Sequence, residues 1–167
     1  ARVLWESFGT DQKPSVGALV RDVEYIGGYI VFKTSEVFTE GNAVIAAEDA
    51  NGKILWSWHI WLTDYPQGQL YYNNAGTMMD RNLGATSATP GDIRAYGLRY
   101  QWGRKDPFVL TGSSTEPFTR VDSDQNIGTV AYAQAHPTVS IHGDTDHWWI
   151  YPTDGIHNPE HDKLWTS

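Results

Sequence analysis

The stretch AEDANGKILWSWHIWL, residues 47–62, leaves few folds open. Asn51-Gly52 is the strongest two-residue hairpin signal, because the favoured turn needs positive φ at both central positions. The run after it is long, aromatic and β-branched, so it reads as a strand. VRDVEYIGGYIVFKT, residues 20–34, repeats the device around Gly27-Gly28. Two hairpins within the first 62 residues, and no helical period before residue 66, commit this part to antiparallel β structure.

Strand alternation sorts the tryptophans. Ile54, Trp56, Trp58, Ile60 and Leu62 share one face, which is wholly apolar and is expected to be the core. Leu55, Ser57, His59 and Trp61 share the other. A tryptophan buries roughly 150–250 Å², so Trp61 is expected under a neighbouring part of the chain. Leu55, His59 and Trp61 are therefore the expected interface. His59 itself reads as a half-buried strand histidine, not a ligand to a metal.

TDYPQGQ, residues 63–69, has proline, glycine and no period, and is the linker candidate. It divides the chain into 1–66, an Ig-like β-sandwich element, and 67–167. In the second part, Thr89 as N-cap and Pro90 at the first helical position open a helix expected over 90–101. The remainder, 103–167, reads as loop-rich.

Composition removes several function classes. Net charge is −8, which disfavours nucleic acid and anionic membranes as partners. Cys is 0, so thiolate metal sites, disulfides and cysteine nucleophiles are excluded for this chain. No apolar run approaches a membrane span. Ala1-Arg2 runs directly into Val3-Leu4-Trp5, which reads as a trimmed start. The order of Asp122, Asp124 and Asn126 suggests a calcium loop, but Ile127 stands where that loop needs glycine. His142, His147, His157 and His161 lack the helical spacing of a zinc protease site. No glycine-flanked nucleophilic serine and no phosphate-cradling glycine loop is present. No cofactor and no catalytic residue is assigned.

Two blocks carry a resemblance. MDRNLG at Met79–Gly84 and YQWGRKDPF at Tyr100–Phe108 resemble the motifs of the Fibrobacter succinogenes major paralogous domain family. The stretch from Val3 to Gln69 is similar to the β segment that precedes this domain in surface proteins of gut Bacteroidetes. The likeness covers most of residues 3–108. It implies a C-type-lectin-like fold, so the whole chain is expected to be mainly β or α+β, with one short helix in its second part. Family members usually continue beyond a Leu-Trp like Leu164-Trp165. The domain is therefore expected to be incomplete at Ser167, with its missing C-terminal portion as one partner.

Within that resemblance Asp80, Arg81, Asn82, Trp102 and Arg104 look like a structural hub. Asp80 and Arg81 are expected on opposite strand faces, Asn82 bonding into its own turn, Trp102 anchoring the core, Gly103 stopping the helix and Arg104 bracing it. The ligand contact is expected at His142, Asp144, Asp146, His147, Trp148, Trp149 and Tyr151. Flat rings beside carboxylates suit a sugar, by stacking and by hydrogen bonds to hydroxyls. The expected function is non-catalytic adhesion or ligand binding, extracellular or at the outer cell surface, with a glycan or a host or bacterial surface protein as partner. The alternatives are a structural fimbrial or surface-layer subunit and a glycan-degrading accessory enzyme.

Overall fold

The computed structural model describes residues 1–8, 15–109, 118–143 and 149–151. Among these the chain is mainly β, with one short α-helix. Strands β1 (Arg2–Ser7), β4 (Gly41–Glu48) and β5 (Ile54–Leu62) form an antiparallel sheet in the order β1-β4-β5. Strands β2 (Val20–Ile26) and β3 (Tyr29–Thr34) form a separate ribbon closed at Gly27-Gly28. Both hairpins read from the sequence are present, the second closing β4 onto β5 at Asn51-Gly52.

Strand β4 lies at the centre because it is apolar on both faces. Ala43 and Ile45 pack with Leu19 and Val20, backed by Val23 and Ile30 of the ribbon. Val44 and Ala46 pack on the opposite face with Trp5, Leu98 and Val109. This second cluster draws on segments either side of residue 66. A carboxylate ties the ribbon down: Glu6, fully buried, accepts from the backbone N–H groups of Ala18, Leu19 and Val20 at 2.9, 3.1 and 2.7 Å.

The faces of β5 differ from the sequence expectation. Ile60 and Leu62 join the cluster beside the ribbon, but Trp56 and Trp58 remain 38% exposed. The ribbon covers one end of that apolar face and not the other. Ser57, His59 and Trp61, on the mixed face, are the residues that other segments engage. Their register partners Ala46, Val44 and Asn42 place them on the side of Leu98 and Val109.

Beyond the sheet, β6 (Gly68–Leu70) pairs with β7 (Thr77–Met79), and β8 (Arg99–Tyr100) with β9 (Pro107–Phe108). The helix expected over 90–101 is a single 3₁₀ turn, Ile93–Ala95, followed by β8. Asp92 caps it, not Thr89: its carboxylate accepts from the Arg94 N–H at 2.9 Å. Gly91 and Gly97 both have positive φ, which ends helical geometry on either side.

The region read as loop-rich contains a compact unit. β10 (Thr119–Asp122) and β11 (Val139–His142) are parallel, joined through α1 (Val130–Ala135). Thr129 caps α1, its Oγ1 accepting from the Tyr132 N–H at 3.1 Å. Ala133, Ile141, Trp149 and Ile150 form its core. Parallel strands require such a crossover.

Candidate functional site

β7 ends at Met79, so the period-two rule stops before the polar triplet. Asp80 sits in a bend, and this corrects the expectation that Asp80 and Arg81 point apart. The Arg81 guanidinium binds the Asp80 carboxylate as a fork, Nε to Oδ1 at 2.9 Å and Nη2 to Oδ2 at 3.1 Å. Its Nη1 donates to Asp64 Oδ1 and, at 3.3 Å, to Thr63 Oγ1. Arg81 therefore joins the segment after β5 to the segment after β7. The hydrogen bonds from Arg81 hold the Asp80 and Asp64 carboxyls below the usual carboxylate range, and those carboxylates push the guanidinium up in turn.

Asn82 does not bond into its own turn through its side chain. Its Nδ2 donates, at 3.4 Å in each case, to the carbonyls of Ala95 and Tyr96 at the end of the 3₁₀ turn. The glycine that follows has a reason. Gly84 has φ +82°, and a Cβ there would lie 2.6 Å from Leu98 Cγ. Gly97, at φ +73°, meets the same segment from the other side, with a Cβ position 2.6 Å from the Leu83 carbonyl. Two glycines thus let the 82–86 and 95–98 backbones touch, and Leu98 N–H donates to the Leu83 carbonyl at 2.9 Å.

Between β7, the triplet and the 3₁₀ turn lies a cleft of about 390 Å³. Met78, Met79 and Leu83 supply its apolar lining, Asp80, Arg81, Asn82 and Ser87 its polar lining, and Ala88 and Ala95 leave it open.

A buried polar chain backs this region. Asn42 Nδ2 donates to the Gly84 carbonyl at 2.9 Å, which turns Asn42 Oδ1 toward His59 Nε2, also at 2.9 Å. His59 Nε2 must therefore carry the proton, and Nδ1 accepts from the Tyr100 hydroxyl at 3.1 Å. Burial holds His59 down at about 4 and pushes Tyr100 up to about 12. Trp61 Nε1 donates to the Ala85 carbonyl at 3.1 Å. Leu55, grouped with His59 and Trp61 in the sequence, is exposed instead, near the hairpin turn.

Ser57 has the neighbours of an activated nucleophile. Its Oγ donates to Asp106 Oδ1 at 2.6 Å, and Lys105 Nζ donates to the Ser57 carbonyl at 3.0 Å and to Asp106. At 1% exposure Ser57 offers no approach to a substrate, and its proton is committed to Asp106. The cluster clamps β5 onto the 105–106 segment.

Arg104, the arginine of the second motif block, is buried. Nη1 donates to Gln101 Oε1 at 2.7 Å and to the Val139 carbonyl at 2.6 Å; Nη2 donates to the carbonyls of His136 and Ala133 at 3.2 and 3.4 Å. The guanidinium lies over the Phe108 and Trp149 rings, 5.3 and 5.7 Å from their centroids. Burial pulls it down to about 10, with Asp106 opposing. Trp102 is not a core anchor: it is 56% exposed, and its carbonyl accepts from Trp149 Nε1. Gly103 stops no helix; at φ +72° it closes the turn whose Arg104 N–H donates to the Gln101 carbonyl at 2.9 Å.

Of the expected ligand contacts, Asp144, Asp146, His147 and Trp148 lie outside the described residues. Trp149 is 2% exposed, so its ring belongs to the core and offers no stacking face. His142 is half-buried on β11 with Nε2 2.9 Å from Ser140 Oγ, and Tyr151 is exposed. The described residues bring no three metal-ligating side chains together. Asp124 instead closes a turn on itself, accepting from the N–H groups of Asn126 and Ile127 at 2.7 and 2.8 Å. Sequence reasoning missed the cleft, since its lining comes from three short segments with no shared period.

No family model matches the chain, and no curated protein and no solved structure matches it. The likeness to the Fibrobacter succinogenes family rests on the two motif blocks.

Proposed function

We propose that this chain is a non-catalytic cell-surface protein, of the kind found in gut Bacteroidetes, that binds a glycan or a surface protein. In this reading an Ig-like β element carries a C-type-lectin-like part. The observation that supports it is the amount of flat aromatic surface left in water. Tyr25, Tyr29, Tyr65, Tyr72, Tyr96 and Trp102 are all more than half exposed. Large apolar surface in solvent marks recognition sites, and tyrosine offers a stacking face with a hydroxyl at low entropic cost. The buried Ser57 cluster, by contrast, gives catalysis no accessible nucleophile. A glycan array probed with the whole chain tests the reading. Saturable binding that leaves the glycans chemically intact is expected; release of reducing sugar would sink it.

A second reading, a structural fimbrial or surface-layer subunit, is favoured by the β2–β3 ribbon. The register places Ile26, Tyr29 and Val31 on one face, and all three are exposed. Concentration-dependent assembly in sedimentation, lost in Tyr29→Lys, is its expected signature.

A further inference from the structure

We infer that the cleft between β7 and the 3₁₀ turn is a binding site for a neutral saccharide. The inference rests on the ligand-binding reading and names its site and ligand class.

The cleft volume of about 390 Å³ falls within the range of small-ligand sites. The lining then restricts the chemistry. Arg81 is the cation among the lining residues, and the carboxylates of Asp80 and Asp64 already engage it; Arg94, beside Ala95, is paired with Asp92. One positive and two negative groups leave this cluster at −1, on a chain of net charge −8. A phosphate, sulfate or sialic acid therefore meets repulsion here.

The polar groups that remain are acceptors held in place. The fork from Arg81 and backbone N–H groups, that of Gln67 among them, fix the Asp80 carboxylate, which keeps 12% of its side-chain surface exposed. Asn82 Nδ2 is turned to the Ala95 and Tyr96 carbonyls, and its Oδ1 accepts no hydrogen bond from the described residues. Acceptors in fixed positions suit a ligand rich in hydroxyl donors, and their preorganisation lowers the entropy lost on binding.

The apolar part suits the C–H face of a sugar ring. Met78, Met79 and Leu83 line the cleft and are each about half exposed. Thioether chains adapt to irregular surfaces. Exposed tyrosines stand on the two bounding segments: Tyr65, 83% exposed, follows Asp64, and Tyr96, 59% exposed, follows Ala95. A shallow platform of this kind binds one sugar weakly, at roughly millimolar Kd, and gains strength through multiple copies.

The chain contains Met 2, and both methionines line this cleft. Carbon-13 labelling of the methionine methyls therefore gives two NMR signals, both reporting on the site. The whole chain is titrated with lactose and cellobiose, with 3′-sialyllactose and sulfated lactose, and with glucosamine as a cationic probe. Expected are saturable shifts of both methyls with the neutral disaccharides, and affinity at least about tenfold lower for Ala88→Trp, which fills the cleft from an exposed position. Tyr96→Ser, also at an exposed position, is expected to weaken binding a few-fold. Unchanged far-ultraviolet dichroism checks that both variants fold. Neutral glycans that bind on the array while both methyl signals stay still, with Ala88→Trp binding as well as the native chain, would overturn the cleft and leave the ligand-binding reading intact. Shifts with the charged probes alone would overturn the ligand class. No binding to any glycan on the array or in the titration would overturn this inference together with the glycan form of the proposed function.

Discussion

Arg81 and Arg104 come from the two motif blocks and both have side chains shielded from water, yet they are held in opposite ways. Arg81 meets charge with charge: Asp80 binds it as a fork, and Asp64 reaches it from an exposed position. Arg104 meets only carbonyl oxygens, one amide oxygen and two aromatic faces, with its Nε left unpaired. No carboxylate among the described residues forms an ion pair with it. The first arrangement is tunable by pH and salt because its partners titrate and lie near water. The second is set by packing, since carbonyls do not titrate and the rings exclude water. The difference is reflected in the groups themselves, Arg81 pushed up by its carboxylates and Arg104 pulled down to about 10 by burial. Arg81 borders a cleft that can take a ligand; Arg104 stitches the turn before β9 onto the βαβ unit.

Truncation should separate the two most clearly. Arg104→Ala strands three backbone carbonyls and opens a void between Phe108 and Trp149, and is expected to cost about 4 kcal/mol. Arg81→Ala leaves Asp80 unpaired but within reach of water, at about 2 kcal/mol. Urea midpoints at constant m measure both. Equal losses would mean that the two arginines are the same kind of brace.

Acid sharpens the comparison once His59 is accounted for. Its folded value of about 4 lies below its ordinary 6.5, so the unfolded chain takes up the proton first. Stability from this group is complete above 6.5, falls as pH drops toward 4 and levels off below. That difference corresponds to about 3 kcal/mol. His59→Gln keeps a donor for Asn42 and an acceptor for Tyr100 without titrating, and should flatten this window. The carboxylates of Asp80 and Asp64, lowered from 3.8, act further down. Their contribution is present above 3.8 and is lost only as pH falls through their depressed folded values. Below those depressed values, Arg81 should therefore lose its partners while Arg104 keeps its own. A stability curve in His59→Gln that kept the full loss between 6.5 and 4 would assign the step to another group.

Conservative replacement gives a smaller contrast. Lysine at 81 can still bridge two carboxylates and should cost about 1 kcal/mol. Lysine at 104 cannot lie flat over two rings while donating to three carbonyls, and should cost about 2 kcal/mol. Salt gives the smallest effect. Raising sodium chloride to about 1 M should weaken the Arg81 cluster slightly and leave the Arg104 cluster unchanged. A double-mutant cycle of Arg81 with Asp64 at both salt levels reads this directly.

Much of the β framework was legible because its signals are local. Asn51-Gly52 and Gly27-Gly28 make turns through their own backbone freedom, and both hairpins are present. The two motif blocks pointed to Arg81 and Arg104 as structural residues. The pairing of Asp80 with Arg81 was not legible, because alternation was carried two residues past the end of β7. The helix expected over 90–101 failed on Gly91 and Gly97, whose positive φ interrupts an otherwise helical spacing. The βαβ unit was missed because strands of four residues and a helix of six give too few repeats of their hydrophobic periods to stand out.

The sequence alone determined what the backbone can do locally: where it turns, which side chains alternate, and which positions only glycine can hold. Tertiary structure alone decided which face of β5 is engaged. By composition the face of Trp56 and Trp58 is the more hydrophobic, yet both remain partly in water. Ser57, His59 and Trp61 are tied instead to Asp106, Tyr100 and the Ala85 carbonyl. Burial depends on what else the chain lays over a surface, and hydrogen-bond partners 24 to 49 residues away set no local pattern. For that reason Arg81 and Arg104 read alike as letters and differ in the folded molecule.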